Sequence, residues 1–364
     1  MGPSGSGKTS LLTALAGQTR ASKGASLTGT LLVNGTPVTS VTEEASGVRS
    51  AFVRQQDVFY SQMTVRETLL FSARLRLPKS VSEAEREDIV DGLLRKLSLV
   101  KAADTIVGDV KRRGISGGER KRLSIGCELL GRPEVLFLDE PTSGLDAFQA
   151  QRVVESLRKL ADEDGVTIIS VIHQPRGSIY EMIDDLLLVA EGRTVYMGPA
   201  DRAAAYMERH GFHKSKASNA AEFVVDVVST DYTTKESREA SLERIRVLAK
   251  EALPATESPA SGSATEPPPP QRRRRTRFAA SPFTQFGLLL RRSFREVARS
   301  KAVLAIKIVQ QTAIALIYGS IYSVGRSQVR GHGAYCARPA AFPTVARMHT
   351  RRPPSRTASA SSRS

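Results

Sequence analysis

The first ten residues constrain this chain more than any other stretch. Gly2-Pro3-Ser4-Gly5-Ser6-Gly7-Lys8-Thr9 fits the pattern G-x-x-x-x-G-K-[ST], and an apolar helical segment, Ser10-Leu11-Leu12-Thr13-Ala14-Leu15-Ala16, follows at once. The glycines let successive backbone N–H groups turn inward around a row of phosphates. Lys8 reaches the outer ones, and the Thr9 hydroxyl is placed to hold Mg²⁺. The helix, with Ser10 in its first turn, directs its positive end at the same anion. A structureless Gly/Ser tail has no reason to run straight into such a helix, so the loop reads as a nucleoside triphosphate site. It demands a buried strand before it. Only Met1 is there, so the first strand is expected to be missing, and nothing apolar precedes the loop to act as a cleavable leader.

The net charge of +16 suggests a nucleic-acid binder until it is divided by position. From Gln271 onward there are nineteen lysines and arginines against one acid, Glu296; the remaining thirty-four basic and thirty-six acidic residues leave 1–270 near neutral. The basicity therefore belongs to the tail, which argues against a nucleic-acid groove on the body. Two distant cysteines, Cys127 and Cys336, suggest neither a disulfide framework nor a metal site.

Along the body, Asn34-Gly35 supplies the tight turn of a hairpin over 29–38, and 48–54 is a short strand ending at Gln55. A glutamine there can reach a bound Mg²⁺ or the attacking water, although one glutamine is more often a solvated loop residue. Thr64 with Glu67 forms a capping box for a helix to Leu77, and a second helix follows over 82–100. Ser116-Gly117-Gly118-Glu119 caps a third helix whose first-turn amides the glycines leave open, which makes a second anion site in one chain. Val135 to Leu138 is a buried strand ending in Asp139-Glu140. Asp139 would hold Mg²⁺ through water and Glu140 would polarise the water attacking the γ-phosphate; such a pair can also be a plain helix start. Ser143-Gly144-Leu145-Asp146 turns into a helix over 149–160, and a strand over 166–172 ends at His173, in the crevice position of such a sheet. Taken alone, a histidine there is more often structural.

These motifs together resemble the ATP-binding-cassette ATPases: the loop at Gly2 to Thr9, Gln55, the signature Ser116 to Glu119, the strand ending in Asp139-Glu140, Gly144-Leu145-Asp146 and His173, in order over about 170 residues. The wording Gly-Glu-Arg-Lys-Arg at 118–122, Leu138 to Asp146, Ile172 to Arg176 and Tyr196 to Ala200 is similar to the G subfamily, the White-type half-transporters. Asn219-Ala220-Ala221-Glu222-Phe223 resembles that subfamily's Asn-Pro-Ala-Asp-Phe, with two departures. The resemblance implies two ATPase domains closing head to tail, so that the loop of one and the signature serine of the other clasp one ATP. On it, Lys8 and Thr9 take phosphates and Mg²⁺, Gln55 links the ion to the helical subdomain, Glu140 activates water, His173 contacts the γ-phosphate, and Ser116 and Gly118 act across the dimer. The family's adenine-stacking aromatic residue would lie before residue 1.

Beyond the body, 251–277 is a Pro/Ser/Arg-rich linker, 278–302 an amphipathic helix with interleaved arginines suited to an anionic membrane surface, and 303–322 a candidate transmembrane helix carrying Lys307 and Gln310-Gln311. Residues 323–364 read as a disordered basic tail, non-native by composition. The fold class expected is therefore α/β: a P-loop NTPase core over 1–250 with a helical subdomain at about 64–130, then linker, connecting helix and one membrane helix. By the resemblance, the chain is an ATP- and Mg²⁺-using half-transporter cut at both ends. It would pair with a second half-transporter in a membrane, with its ATPase domain cytoplasmic, and move a lipid-like or hydrophobic compound. A non-catalytic fragment and a soluble ATPase acting on nucleic acid are the alternatives.

Overall fold

The computed structural model of the chain describes residues 1–19, 26–38, 40–215, 219–252, 280–299 and 301–329. It divides into two units, Met1–Lys301 and Ala302–Ser364. In the first, α1 (Lys8–Leu15) leads to the hairpin β1 (Leu31–Val33) and β2 (Thr36–Val38), and one helical turn, α2 (Glu43–Ser46), precedes β3 (Ser50–Val53). Then come α3 (Val65–Arg76), α4 (Glu83–Lys96), α5 (Gly117–Leu129), β4 (Val135–Asp139), α6 (Ala147–Asp164) and β5 (Thr167–Val171). The unit closes with α7 (Gly177–Tyr180), β6 (Asp185–Ala190), β7 (Arg193–Pro199), α8 (Ala203–Arg209), α9 (Ala220–Val227), α10 (Lys235–Ala252) and α11 (Pro282–Arg299).

The sheet runs β3-β4-β5, both pairings parallel. Its central strand is buried on both faces because its residues alternate between two cores. Phe137 packs with Leu12 of α1, Ala16 just after it and Val171 of β5, while Leu136 and Leu138 pack with Leu69, Leu94 and Leu123 of the helices opposite. Each fully buried leucine stabilises by roughly 1.5–3 kcal/mol, so β4 is where the layers are held together. β6 and β7 pair antiparallel as a separate ribbon, and with α8, α9 and α10 they enclose a second core. Met1 runs beside that ribbon: its nitrogen donates to the Leu187 carbonyl at 2.7 Å, and its own carbonyl accepts from Val189 N–H at 3.0 Å. The chain therefore enters the glycine loop along β6, so closely that a Cβ on Gly2 would stand 1.9 Å from the Val189 oxygen. Only glycine fits there.

Capping decides where the helices begin. Reciprocal boxes start α3 at Thr64 and Glu67, α4 at Ser82 and Glu85, α5 at Ser116 and Glu119, and α9 at Asn219 and Glu222. The sequence reading carries α4 to residue 100; the helix stops at Lys96, with Ser98 in the left-handed region at φ 53° and a 3₁₀ turn at Val100–Ala102. Leu97 and Leu99 are both fully buried, and residues two apart cannot share one helix face, so the chain turns between them. The expected helix over 149–160 is longer, Ala147–Asp164, because Asp146 caps it and Gly165 ends it at φ 64°.

α11 docks on α3 with its cationic face, not its apolar one. Arg299 is bidentate to Glu67 at 2.7 and 2.8 Å, Arg295 reaches Glu67 at 3.2 Å, and Arg292 lies 3.9 Å over the Tyr60 ring. Phe283 and Phe294 are left 90% and 75% exposed. Of the interleaved arginines Arg291, Arg292, Arg295 and Arg299, the last three are taken up by the protein: Glu67 holds two, and Arg292, 5.3 Å from the Phe71 ring as well, lies against an aromatic pair. The Arg299 hydrogen bonds, foremost, hold the Glu67 carboxyl below its ordinary range. The clasp is thus intact above the usual carboxylate range and weakens as pH falls through the lowered value. Glu67→Ala is expected to speed tryptic cleavage at Arg291, Arg292, Arg295 and Arg299 several-fold at neutral pH, and unchanged cleavage kinetics would refute the clasp.

The second unit carries all but the first residue of α12 (Lys301–Val329), which is 29 residues long. Within it Leu304–Ile321 is long and apolar enough to cross a membrane. The helix runs past the expected end at Tyr322, so 323–329 is helical and not part of a disordered tail. The expected linker over 251–277 starts inside α10, which runs to Ala252, and the rest of it, with the tail from 330, lies outside the described residues.

Candidate nucleotide-binding site

Three hydrogen bonds draw the glycine loop and the strand ends into one site. Thr9 Oγ1 donates to Asp139 Oδ1 at 2.9 Å, joining the start of α1 to the end of β4. Gln55 Nε2, after β3, donates to Glu140 Oε2 at 2.8 Å. Ser4 Oγ lies 2.9 Å from His173 Nε2, after β5. The site therefore sits outside the carboxyl ends of β3, β4 and β5, where open α/β sheets bind ligands. Two residues just past strand ends, Glu140 at φ 46° and Gln174 at φ 40°, are held in the left-handed region. Such strain costs on the order of 1 kcal/mol or more at each and collects at working sites.

The loop itself has the features of an anion cradle. Gly5 and Gly7 adopt φ of 78° and 95°, and α1 begins at Gly7 without a side-chain cap. Ser6 is 4% exposed, and among the described residues its Oγ has no hydrogen-bond partner. A buried hydroxyl left unpaired inside such a loop fits a phosphate oxygen. Lys8 Nζ donates to the carbonyls of Gly2 at 2.9 Å and Pro3 at 2.6 Å, so its ammonium is already aimed along the loop. Burial lowers its pKa, and Glu140 and Asp139 oppose that shift. Ser10 is exposed one residue beyond Thr9.

Ser116, Gly117, Gly118 and Glu119 lie elsewhere. Among the described residues no hydrogen bond joins them to the glycine loop. They face α6: Gly118 N–H donates to Gln149 Oε1 at 2.6 Å, and Gln149 Nε2 donates to Asp146 Oδ2 at 2.5 Å. Asp146 is thus the cap of α6 and, through Gln149, is tied to the second glycine of the signature. The two glycines at the start of α5 permit that approach: a Cβ at 117 would press on the Leu145 side-chain end and one at 118 on the Gln149 amide, each at 2.9 Å, and would displace them.

Residues 1–143 match the family model described as ABC transporter, and residues 173–251 match one described as ABC-2 type transporter. The chain is 45% identical over 342 residues to ABC transporter G family member 7 of Arabidopsis thaliana, covering 90% of this chain and 46% of that protein. The chain belongs to the G family of ABC transporters. Within it, the chain is 38% identical over 335 residues to member 25 of the same plant, covering 88% of this chain and 49% of the relative. It is also 44% identical over 231 residues to the broad substrate specificity ATP-binding cassette transporter ABCG2 of Rattus norvegicus, covering 64% and 34%. The chain spans about half or less of the length of these relatives. In this G-family chain the second matched span forms the β6–β7 ribbon with α8, α9 and α10, and the candidate membrane helix lies after it.

The sequence reading misses Lys121. It stands in the basic run Arg120-Lys121-Arg122, yet it is 3% exposed and donates to Asp57 Oδ1 at 2.9 Å and to the carbonyls of Gln55 at 2.9 Å and Arg54 at 3.1 Å. Asp57 is 64 residues away, so no local pattern announces the pair. Gln149 is missed for a similar reason: it falls on the helical period of α6 and carries no motif.

Proposed function

We propose that the chain is the ATP-hydrolysing half of a G-family transporter. It would pair with a second half and couple hydrolysis to the passage of a lipid-like or hydrophobic compound across a membrane, with its ATPase domain cytoplasmic. The observation that carries this reading is the gathering of Thr9, Asp139, Gln55, Glu140, Ser4 and His173 around the glycine loop. On this reading the backbone N–H groups of the Gly2–Thr9 loop, Pro3 having none, with the Ser4 and Ser6 side chains, hold the phosphates, with Ser10 in the helix's first turn. Lys8 takes the outer phosphate charge. Thr9, Gln55 and Asp139, the last through water, hold Mg²⁺, which when bound neutralises charge developing on the phosphate oxygens. Glu140 accepts the proton of the attacking water as Gln55 orients its carboxylate, and His173 donates towards the γ-phosphate side. Ser116 to Glu119 and Asp146 work on the nucleotide of the partner half, in keeping with their placement away from the chain's own loop.

Lys8→Ala is the direct test. Removing a charge-assisted donor costs about 1.5–3 kcal/mol, so affinity for Mg-ATP is expected to fall roughly ten- to hundredfold in equilibrium binding to the full chain. Affinity within twofold of the native protein would refute the assignment of the loop.

A further inference from the structure

We propose that Lys121 is a positioning residue: it fixes Gln55 and, through it, the Glu140 carboxylate, and so ties the water-activating group to the helix that begins at the signature serine. The proposal rests on the reading of Glu140 given above.

The geometry supports it in three steps. The Lys121 ammonium has three N–H groups and three acceptors, and two of those are the backbone carbonyls of Arg54 and Gln55. It therefore holds the peptide from which the Gln55 side chain departs. That side chain reaches Glu140 at 2.8 Å, and among the described residues Gln55 is the one hydrogen-bond partner of the Glu140 carboxylate. The Glu140 backbone is in turn pinned, with φ 46° and its N–H on the Val171 carbonyl at 3.0 Å. What remains adjustable is the carboxylate, and Lys121 acts on it at one remove. Finally, Lys121 lies five residues after Ser116 on α5, so the same rigid helix presents the signature amides at its start and grips the Gln55 peptide a turn and a half later.

A buried ion pair is a poor device for stability alone. Asp57 and Lys121 are 8% and 4% exposed in their side chains, and well-packed apolar residues of similar volume would hold this fold as well or better. What an apolar pair cannot do is satisfy and place two backbone carbonyls. That difference separates positioning from support, and it gives the test.

The full chain carrying Lys121→Met with Asp57→Leu is compared with the native chain in detergent, measuring the denaturation midpoint together with kcat and KM for Mg-ATP. The expected result is a cooperative transition at a midpoint between those of Lys121→Met alone and the native chain, since the buried charge is gone but two carbonyls still lack their donor, with KM within about twofold and kcat lowered roughly ten- to hundredfold, the scale on which small displacements of a reacting group act. Native kcat in a folded double variant overturns the proposal. If the double variant does not unfold cooperatively, Lys121→Arg replaces it, since a planar guanidinium cannot aim at three acceptors arranged for an ammonium. Its kcat should fall in the native background and not fall further in a Gln55→Ala background. Additive losses, or no loss, overturn the proposal. A native chain that hydrolyses no ATP fails the underlying ATPase reading instead, and removes this proposal with it.

Discussion

On the proposed function, the full chain with Glu140→Gln is expected to hydrolyse ATP about 10²- to 10⁴-fold more slowly than the native chain and to bind it with unchanged affinity. The loss follows from proton acceptance: a carboxylate at the end of β4 can take the proton of an attacking water, and an amide cannot. General-base assistance of this kind is worth about that range. The amide has the same shape, and Gln55 Nε2 can still donate to its carbonyl oxygen, so the local structure has no reason to change. Thr9, Asp139 and Lys8 are untouched, so binding is preserved. Single-turnover hydrolysis beside equilibrium nucleotide binding separates the two effects. Turnover within a few-fold of native would remove Glu140 from the chemistry and leave the strain at its backbone without a function.

Lys121→Met alone is expected to lower the stability of the first unit by about 3–5 kcal/mol in urea denaturation. The removed ammonium leaves Asp57 as an uncompensated charge among buried groups, and it strips two carbonyls of their donor. An exposed pair makes the contrast. Arg49 and Glu134 are 43% and 52% exposed, and breaking such a contact changes stability by about 0–1 kcal/mol. A loss below 1 kcal/mol for Lys121→Met would mean that water reaches Asp57 readily and that the pair is not buried in solution.

What the sequence makes legible is what depends on near neighbours. Asn34-Gly35 specifies its hairpin through two positive φ angles, and Thr64 with Glu67 and Ser116 with Glu119 specify helix starts three residues apart. The apolar run of β4 announces burial on both faces. The glycine loop, Gln55, Asp139-Glu140 and His173 stand out because their chemistry is tied to strand ends, and the structure brings all of them within one cluster of hydrogen bonds. Partners distant in sequence do not show. Nothing local tells that Lys121 folds inward while Arg120 and Arg122 do not share its partners, or that Gln149 links Gly118 to Asp146. The facing of α11 is hidden for the same reason. Its pattern defines two faces correctly, but which one meets the protein is decided by Glu67, more than two hundred residues earlier.

The measurement that tests the central claim most directly is complementation between two defective chains. One carries Lys8→Ala and keeps its signature; the other carries Ser116→Arg, at an exposed position, and keeps its loop. If each ATP lies between the loop of one chain and the signature of another, both variants are inactive alone and their mixture regains ATP hydrolysis, because one of the two sites in a mixed pair is built from intact halves. A mixture that stays inactive, or a Ser116→Arg chain that hydrolyses ATP at the native rate by itself, would contradict the shared site.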